Sequence, residues 1–278
     1  MLLKGKFQNG RSGERTRKLL VVVQYTASMI LLCGTLIVFA QLNYMRRQSL
    51  GVRTDRILVV KFPGPTEGMK IKMEAMRKAI RKLPLVSKVT CSGSVPGEEV
   101  AMFLSNRRTH DALKQNRLYE MLSCDPDYMD AYGLELVAGR GFSEDYGDDV
   151  NKLVINETAA RTLGYTDYES VIGEEISVET IEEPMQVIGV VKDYHQQALN
   201  RNYTPIMLFH KDKIDWIPQR YISIVMKPGD SLELVSQISE IWTTYFADSS
   251  FDYFFLDQFY DRQYRQDEAF GVLMGGFT

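Results

Sequence analysis

LLVVVQYTASMILLCGTLIVFA, residues 19–40, runs for 22 positions without an ionisable side chain. An α-helix needs about 20 apolar residues to cross a hydrocarbon core roughly 30 Å thick. In lipid every backbone N–H and C=O must be paired within its own segment, which a helix achieves. A cleavable signal peptide fits poorly, because eighteen residues precede the run, no small-x-small site follows it, and an h-region spans only about 7–15 residues. A buried core helix is rarely apolar on every face over such a length. The stretch therefore predicts a transmembrane helix at 19–40 and a membrane protein with a large water-soluble part.

The flank before it carries Lys4, Lys6, Arg11, Arg15, Arg17 and Lys18 against Glu14 alone. Basic residues beside a span stay cytoplasmic, so 1–18 reads as a cytoplasmic basic segment and the main domain as exterior. Residues 1–50 hold eight Lys/Arg and one Asp/Glu, leaving 25 basic and 35 acidic residues for 51–278. An acidic exterior argues against nucleic acid as a partner, whereas the basic start suits anionic lipid head groups. No Pro or Gly interrupts QLNYMRRQSL after the span until Gly51, a residue suited to the left-handed position that ends helices. One helix over 19–50 would be about 48 Å long, so 41–50 is expected to form a helical stalk, with Gln41, Tyr44, Met45 and Gly51 in it or at its end. Within the span Gln24, Ala27, Ser28, Gly34 and Thr35 share one weakly polar face. Such a stripe predicts packing against other membrane helices, although small residues are also ordinary in membrane spans.

Residues 51–268 suffice for one large or two smaller domains. Arg56–Phe62 and Val86–Ser92 read as strands around a helix with Met69, Met73, Met76, Ile80 and Leu83 on its apolar face. The same grammar returns in the strand Tyr221–Met226, a helix after Asp230 and the strand Phe251–Leu256. In that helix Glu233 would complete a capping box, and Val235, Ile238, Ile241, Trp242 and Tyr245 form the apolar face. Two such units predict an α+β fold with a split βαβ sheet. Between them, about 94–219, short strands are expected at Tyr119–Cys124, Leu134–Ala138, Lys152–Ile155, Glu175–Val178 and Met185–Val191. One short helix runs there from an Asn156 N-cap to Gly164, making this a mainly β insert. Phe259–Glu268 reads as helical, and the uncharged 269–278 as the start of a second, truncated transmembrane helix.

Nucleotide chemistry has no seat in this sequence, since G-x-x-x-x-G-K-[ST] is absent. The histidines are His110, His195 and His210. His195 with Asp193 reads as a solvated strand end sooner than as a metal pair or base, and no cluster offers three or four zinc ligands. Ser92 and Ser94 do not form a nucleophile elbow, and Glu98/Glu99 and Glu182/Glu183 read as solvated turns. Cys33 falls in the span, and Cys91 and Cys124 are open to either a disulfide or two free thiols. No catalytic residue, metal site or cofactor is expected.

Several segments together resemble one half of an FtsX-like/MacB-like ABC transporter permease with its MacB-type periplasmic core domain. They are RKLLVVVQYTASMILLCGTLIVFAQLNYM at 17–45, GRGFS at 139–143, LVINETAARTLG at 153–164, VIGEEI at 171–176, IGVVKDYH at 188–195 and FFLDQFYDRQYRQDEAFG at 254–271. The resemblance implies a porter subdomain (about 51–93 and 220–258) and an inserted sabre subdomain (about 94–219). It places the N-terminus in the cytoplasm, the helix in a bacterial inner membrane and the domain in the periplasm. It further implies efflux or other transport by mechanotransmission, with ATP hydrolysed by a separate ABC ATPase subunit. The other implied partners are the remaining permease helices or a second permease copy, membrane lipid and a periplasmic adaptor. A membrane-anchored extracytoplasmic ligand sensor or scaffold is the alternative reading of the same organisation.

Overall fold

The computed structural model describes residues 11–47, 50–64, 68–100, 102–110, 116–146, 149–197, 202–214 and 217–262. The expected truncated span at 269–278 lies outside them, as do residues 1–10 of the basic segment. The chain divides into two compact units, one holding the N-terminal helix and the other spanning Ser49–Asp261.

Helix α1 (Arg11–Arg47) is one uninterrupted element of 37 residues. It starts ahead of the apolar run, and Glu14 with Lys18 one turn later forms an ion pair at 2.8 Å that supports this first stretch. Its segment Glu14–Ile37 is long and apolar enough to cross a membrane. Leu20, Val22, Tyr25, Ile30 and Phe39 are all exposed, a surface suited to hydrocarbon and not to water. The helix expected to continue to residue 50 is described to Arg47, and Leu50 is no longer helical.

In the second unit, strands β1 (Ile57–Lys61), β2 (Val86–Ser92), β10 (Tyr221–Met226) and β11 (Asp252–Phe255) lie in the order β11-β1-β10-β2. β1 is antiparallel to both β10 and β11, and β10 is antiparallel to β2. The pair β1 and β2 therefore interleaves with the pair β10 and β11. Helices α2 (Met69–Ile80) and α5 (Ser231–Tyr245) cover one face of the sheet, packing Met73, Met76, Ile80, Leu234, Ile238 and Trp242 onto Leu58, Val60, Ile222 and Ile224. Trp242 stacks with Phe62 at 6.1 Å and Phe246 at 4.8 Å between ring centres. The apolar line of α5 runs through Leu234, Ile238 and Trp242. Val235, Ile241 and Tyr245, expected on that face, flank it half-buried. Asp230 caps the helix by accepting from the Leu232 and Glu233 N–H groups. Glu233 accepts from Gln237 one turn on, so the expected capping box is only half formed.

The other face of the sheet is also covered. Helix α3 (Tyr128–Tyr132) lies there, and the Tyr132 and Ser223 hydroxyls pair at 2.7 Å. A further helix, α6 (256–262), buries Leu256 and Tyr260.

The remaining strands β3 (Phe103–Arg108), β4 (Arg117–Cys124), β6 (Lys152–Asn156), β7 (Glu175–Val178), β8 (Met185–Val191) and β9 (Ile206–His210) pair in the order β4-β3-β7-β8-β6-β9. β9 then returns to β4 in parallel register. The ring is closed, and closure removes open edges. Its interior holds Tyr119, Met121, Leu153, Ile155, Ile176, Val187, Met207 and Phe209. Helix α4 (Glu157–Leu163) packs against this core through Ala159, Ala160 and Leu163, capped by the Asn156 side chain and ended by Gly164 at φ 98°. β5 (Leu136–Gly139) adds to β8 outside the ring.

Two ring strands were not expected. β3 ends in polar SNRR, yet its Asn106 is fully buried and donates toward the sulfurs of Met121 and Met207 at 3.3 and 3.4 Å. β9 is the run IMLFH, which periodicity cannot distinguish from a piece of buried helix. α3 likewise adds a helix to a stretch expected to contain only one.

Candidate functional site

One short loop after β8, Asp193–Gln196, joins elements from distant parts of the sequence. Asp193 accepts from the Thr158 backbone N–H and hydroxyl, both at 2.8 Å, and from Arg161 at 2.5 Å. It thus places a carboxylate at the N-terminal turn of α4, where unpaired N–H groups and the helix dipole favour negative charge. The Asp193 N–H donates in return to Glu157 at 2.9 Å. Next, the His195 N–H donates to the Leu50 carbonyl at 2.9 Å, and the His195 carbonyl accepts from the Tyr260 hydroxyl at 3.3 Å. Gln196 bridges to the turn after β2: its carbonyl accepts from Gly97 N–H, and its amide donates to the Val95 and Glu98 carbonyls.

Two glycines make this close approach possible. Gly51 has φ 74°, and a Cβ on it would stand 3.0 Å from the Tyr194 backbone. Gly97 has φ 92°, and its Cβ would stand 3.0 Å from the rings of Phe259 and Tyr260. Both conformations are strained for any residue with a side chain. Arg53 then donates its N–H to the Tyr132 carbonyl at 2.7 Å. The segment that follows α1 in sequence and the helix that ends the domain are thus fastened to the same four residues. Those residues are in turn fastened to the β-ring through α4.

A second seam lies where β2 meets β4 through the single pair Ser92–Cys124. Arg77 of α2, only 4% exposed, reaches the fully buried Asp125 at 3.5 Å and Asp127 at 2.8 Å. Asp125 also accepts from the Thr90 hydroxyl at 2.5 Å and the Cys91 N–H at 2.9 Å. Burial by itself would lower the guanidinium pKa, but Asp125, Asp127 and Glu74 outweigh it and raise it. This buried cation inside an apolar helix face was not foreseen; the lone Arg at a core-spaced position beside Met73, Met76 and Ile80 was its only signal.

The glycines of GRGFS and IGVV have a mechanical explanation. Gly139 of β5 pairs with Gly189 of β8, and a Cβ on Gly189 would lie 2.1 Å from the Arg140 carbonyl oxygen. Arg140 then makes a two-pronged ion pair with Asp149 at 2.7 and 2.8 Å. These bonds hold the Asp149 carboxyl below the usual carboxylate range.

The polar residues weighed in the sequence take structural roles. Asp193 is spent on α4 and Arg161. His195 packs against Tyr203 at 4.5 Å between ring centres, and burial lowers its imidazole pKa, with Asp193 opposing. Glu98 is not simply a solvated turn, since it accepts from the Tyr221 hydroxyl and faces Lys61 at 3.6 Å. Cys91 and Cys124 are free. Because Ser92 sits opposite Cys124, the alternation of a strand turns Cys91 to the other face of the sheet. Among the described residues no group of three or more His, Cys, Asp or Glu could hold a metal ion. On α1, Gln24, Ala27, Ser28 and Gly34 are exposed. The Thr35 hydroxyl donates to the Leu31 carbonyl at 2.9 Å, one turn back in the same helix. Gln41, Tyr44 and Met45 belong to the unbroken backbone of α1.

A family model described as MacB-like periplasmic core domain matches residues 27–240. No curated protein sequence matches this one significantly. Among solved structures, the periplasmic region of MacB from Actinobacillus actinomycetemcomitans is 15% identical with a TM-score of 0.53, over 77% of this chain and 95% of that one. A domain of a putative permease protein from Porphyromonas gingivalis is 21% identical with a TM-score of 0.50, over 72% and 89%. The extracellular domain of the noncanonic ABC-type transporter YknZ from Gram-positive bacteria is 16% identical with a TM-score of 0.50, over 71% and 97%.

Proposed function

The chain belongs to the MacB-like periplasmic core domain family of ABC transporter permeases, and on that premise we propose that it transmits motion. In this reading α1 spans the bacterial inner membrane from a cytoplasmic N-terminus, and residues 41–50 form a stalk. The interleaved sheet is the porter subdomain and the β-ring the sabre subdomain. A separate ABC ATPase subunit, docked on the cytoplasmic side, supplies the work. The stripe of Gln24, Ala27, Ser28, Gly34 and Thr35 packs against the remaining permease helices or a second permease copy. A periplasmic adaptor meets the exterior face.

The observation that carries this reading is the fastening of Leu50 and Tyr260 to one loop, Asp193–Gln196. Displacement of either segment is passed to α4 and the β-ring by hydrogen bonds and close backbone contact, with no flexible linker between. A purely tethered sensor would not need its two flanking segments locked to a common point.

ATP hydrolysis gives the first check on the division of labour. Purified membranes holding only this chain should hydrolyse no ATP above background, and co-expression with a cognate ATPase should be required. Hydrolysis by this chain alone, abolished by a point substitution within it, would overturn the reading. Orientation gives the second check. A reporter active only outside the cytoplasm should be active after residue 100 and silent after residue 10, because positive flanks stay inside. The reverse pattern would remove the domain from the periplasm.

A further inference from the structure

The turn by which the chain leaves the β-ring is closed on an imidazole nitrogen. His210 ends β9 in register with Cys124 at the end of β4, and the Lys211 N–H donates to the Cys124 carbonyl at 2.9 Å. Two further bonds hold the turn. The Lys213 N–H donates to the His210 carbonyl at 3.0 Å, and the Asp212 N–H donates to His210 Nδ1 at 3.3 Å. The His210 side chain is only 13% exposed, and its ring meets Phe142 edge-on at 6.1 Å between ring centres.

Nδ1 can accept only while it carries no hydrogen, so the neutral ring has its hydrogen on Nε2. Uptake of a proton from water turns Nδ1 into a donor, and two N–H groups then face each other across the turn. A replacement acceptor stands beside them. An Asp212 carboxylate oxygen lies 3.7 Å from the same Nδ1 and is now paired with Lys211 at 2.8 Å, a contact open enough to water to hold weakly. The charged groups facing the ring are Asp212 and Lys211 from the turn and Asp149 and Glu144 from the segment after β5. Burial lowers the imidazole pKa, Lys211 acts the same way, and Asp212, Asp149 and Glu144 oppose them. Asp149 is itself held by Arg140 and the Ser143 N–H, which leaves Asp212 as the carboxylate free to move.

We propose that His210 is a proton-operated switch in this turn: neutral, it accepts the Asp212 N–H; protonated, it releases that N–H and donates to the Asp212 carboxylate. The Lys211–Cys124 bond ties the turn to the single-pair seam between β2 and β4, so the exchange acts where the β-ring meets the interleaved sheet. The folded ring binds its proton less tightly than the unfolded chain, whose histidines titrate near about 6.5. Stability from this group is therefore present above that value and lost as pH falls through it. The switch does not depend on the motion-transmitting reading, because it is measured without any ATPase.

Both halves of the exchange can be read in the full chain in lipid bilayers. With nitrogen-labelled histidine, solid-state NMR observes the imidazoles of His110, His195 and His210, and His210→Asn identifies the last by its loss. At about pH 8 the His210 ring should carry hydrogen on Nε2 alone, and as pH falls to about 4.5 it should gain a second on Nδ1. A hydrogen on Nδ1 at pH 8, or a ring neutral throughout, would overturn the proposal. Deuterium exchange resolved to single residues gives the other half. Protection of the Asp212 N–H should fall about fivefold over the same range, the worth of one ordinary hydrogen bond. In His210→Asn the amide oxygen stands in for Nδ1 as acceptor but takes no proton, so protection there should not change with pH. Thermal unfolding at pH 8 confirms that the variant is folded. Protection that falls equally in both proteins, or in neither, would also overturn the switch.

Discussion

Replacing Arg77 with Met should destabilise the exterior domain by about 3–5 kcal/mol, the usual cost of removing one partner from a buried ion pair. Asp125, with no exposed surface, would keep the Thr90 hydroxyl and Cys91 N–H but lose its cation. For a domain of this size the loss corresponds to a fall in Tm of about 6–20 °C. It should also depend on pH. Burial already raises the Asp125 carboxyl pKa, with Arg77, the Thr90 hydroxyl and the Cys91 N–H opposing it. Removing Arg77 takes away the largest of these opposing influences, so the folded-state pKa rises further above the unfolded value of about 3.9. The folded variant then holds its proton more tightly than the unfolded chain, so stability is highest at low pH and is lost as pH rises toward the folded pKa. Thermal unfolding at pH 5 and pH 8 should show the larger deficit at pH 8. Arg77→Met with Asp125→Asn should recover much of the loss, because no buried charge remains. A deficit under about 1 kcal/mol, or one equal at both pH values, would contradict this account of the seam.

Gly189→Val should be as damaging by a different route. The new Cβ would fall 2.1 Å from the Arg140 carbonyl oxygen, a rigid backbone atom that can yield only if β5 leaves β8. Loss of that pairing also disturbs the Arg140–Asp149 ion pair, and a cost of about 4 kcal/mol or more is expected. Gly164→Ala is the control. Gly164 has φ 98° but nothing within 4 Å of its would-be Cβ, so only backbone strain of about 1–2 kcal/mol should appear. Equal losses at the two positions in denaturant unfolding would mean that backbone conformation, not close approach, governs Gly189.

Much of the fold was legible because local patterns and tertiary demands agree. Asn156 and Gly164 bound α4, and Met73, Met76 and Ile80 mark the buried face of α2. Strands with strong β-branched character, such as ILVVK and MQVIGVV, announce themselves. The ring was not legible, since closure depends on β9 meeting β4 across 86 residues of chain, from Glu120 to Ile206. Local periodicity carries no information about such a pairing. His195 with Asp193, in the loop Asp193–Gln196, was read as a solvated strand end for the same reason. Its Asp, His and Gln look ordinary until Leu50, Thr158 and Tyr260 are brought to them by the fold. Gly51 was read as a helix stop, and its φ of 74° serves equally to bring the chain against Tyr194.

The proposal that α1 transmits motion rests on that helix continuing unbroken past the apolar run to Arg47. Tyr44→Pro breaks that continuity beyond the lipid-embedded turns, because Pro removes a hydrogen bond and costs about 3 kcal/mol in a helix interior. The decisive measurement compares ATP hydrolysis and export side by side in a reconstituted full-length transporter carrying this half. The Tyr44→Pro variant should insert and hydrolyse ATP at close to the unmodified rate while export falls at least about tenfold. Export at the unmodified rate, with the helix shown to be broken at residue 44, would contradict that proposal and leave α1 as a tether.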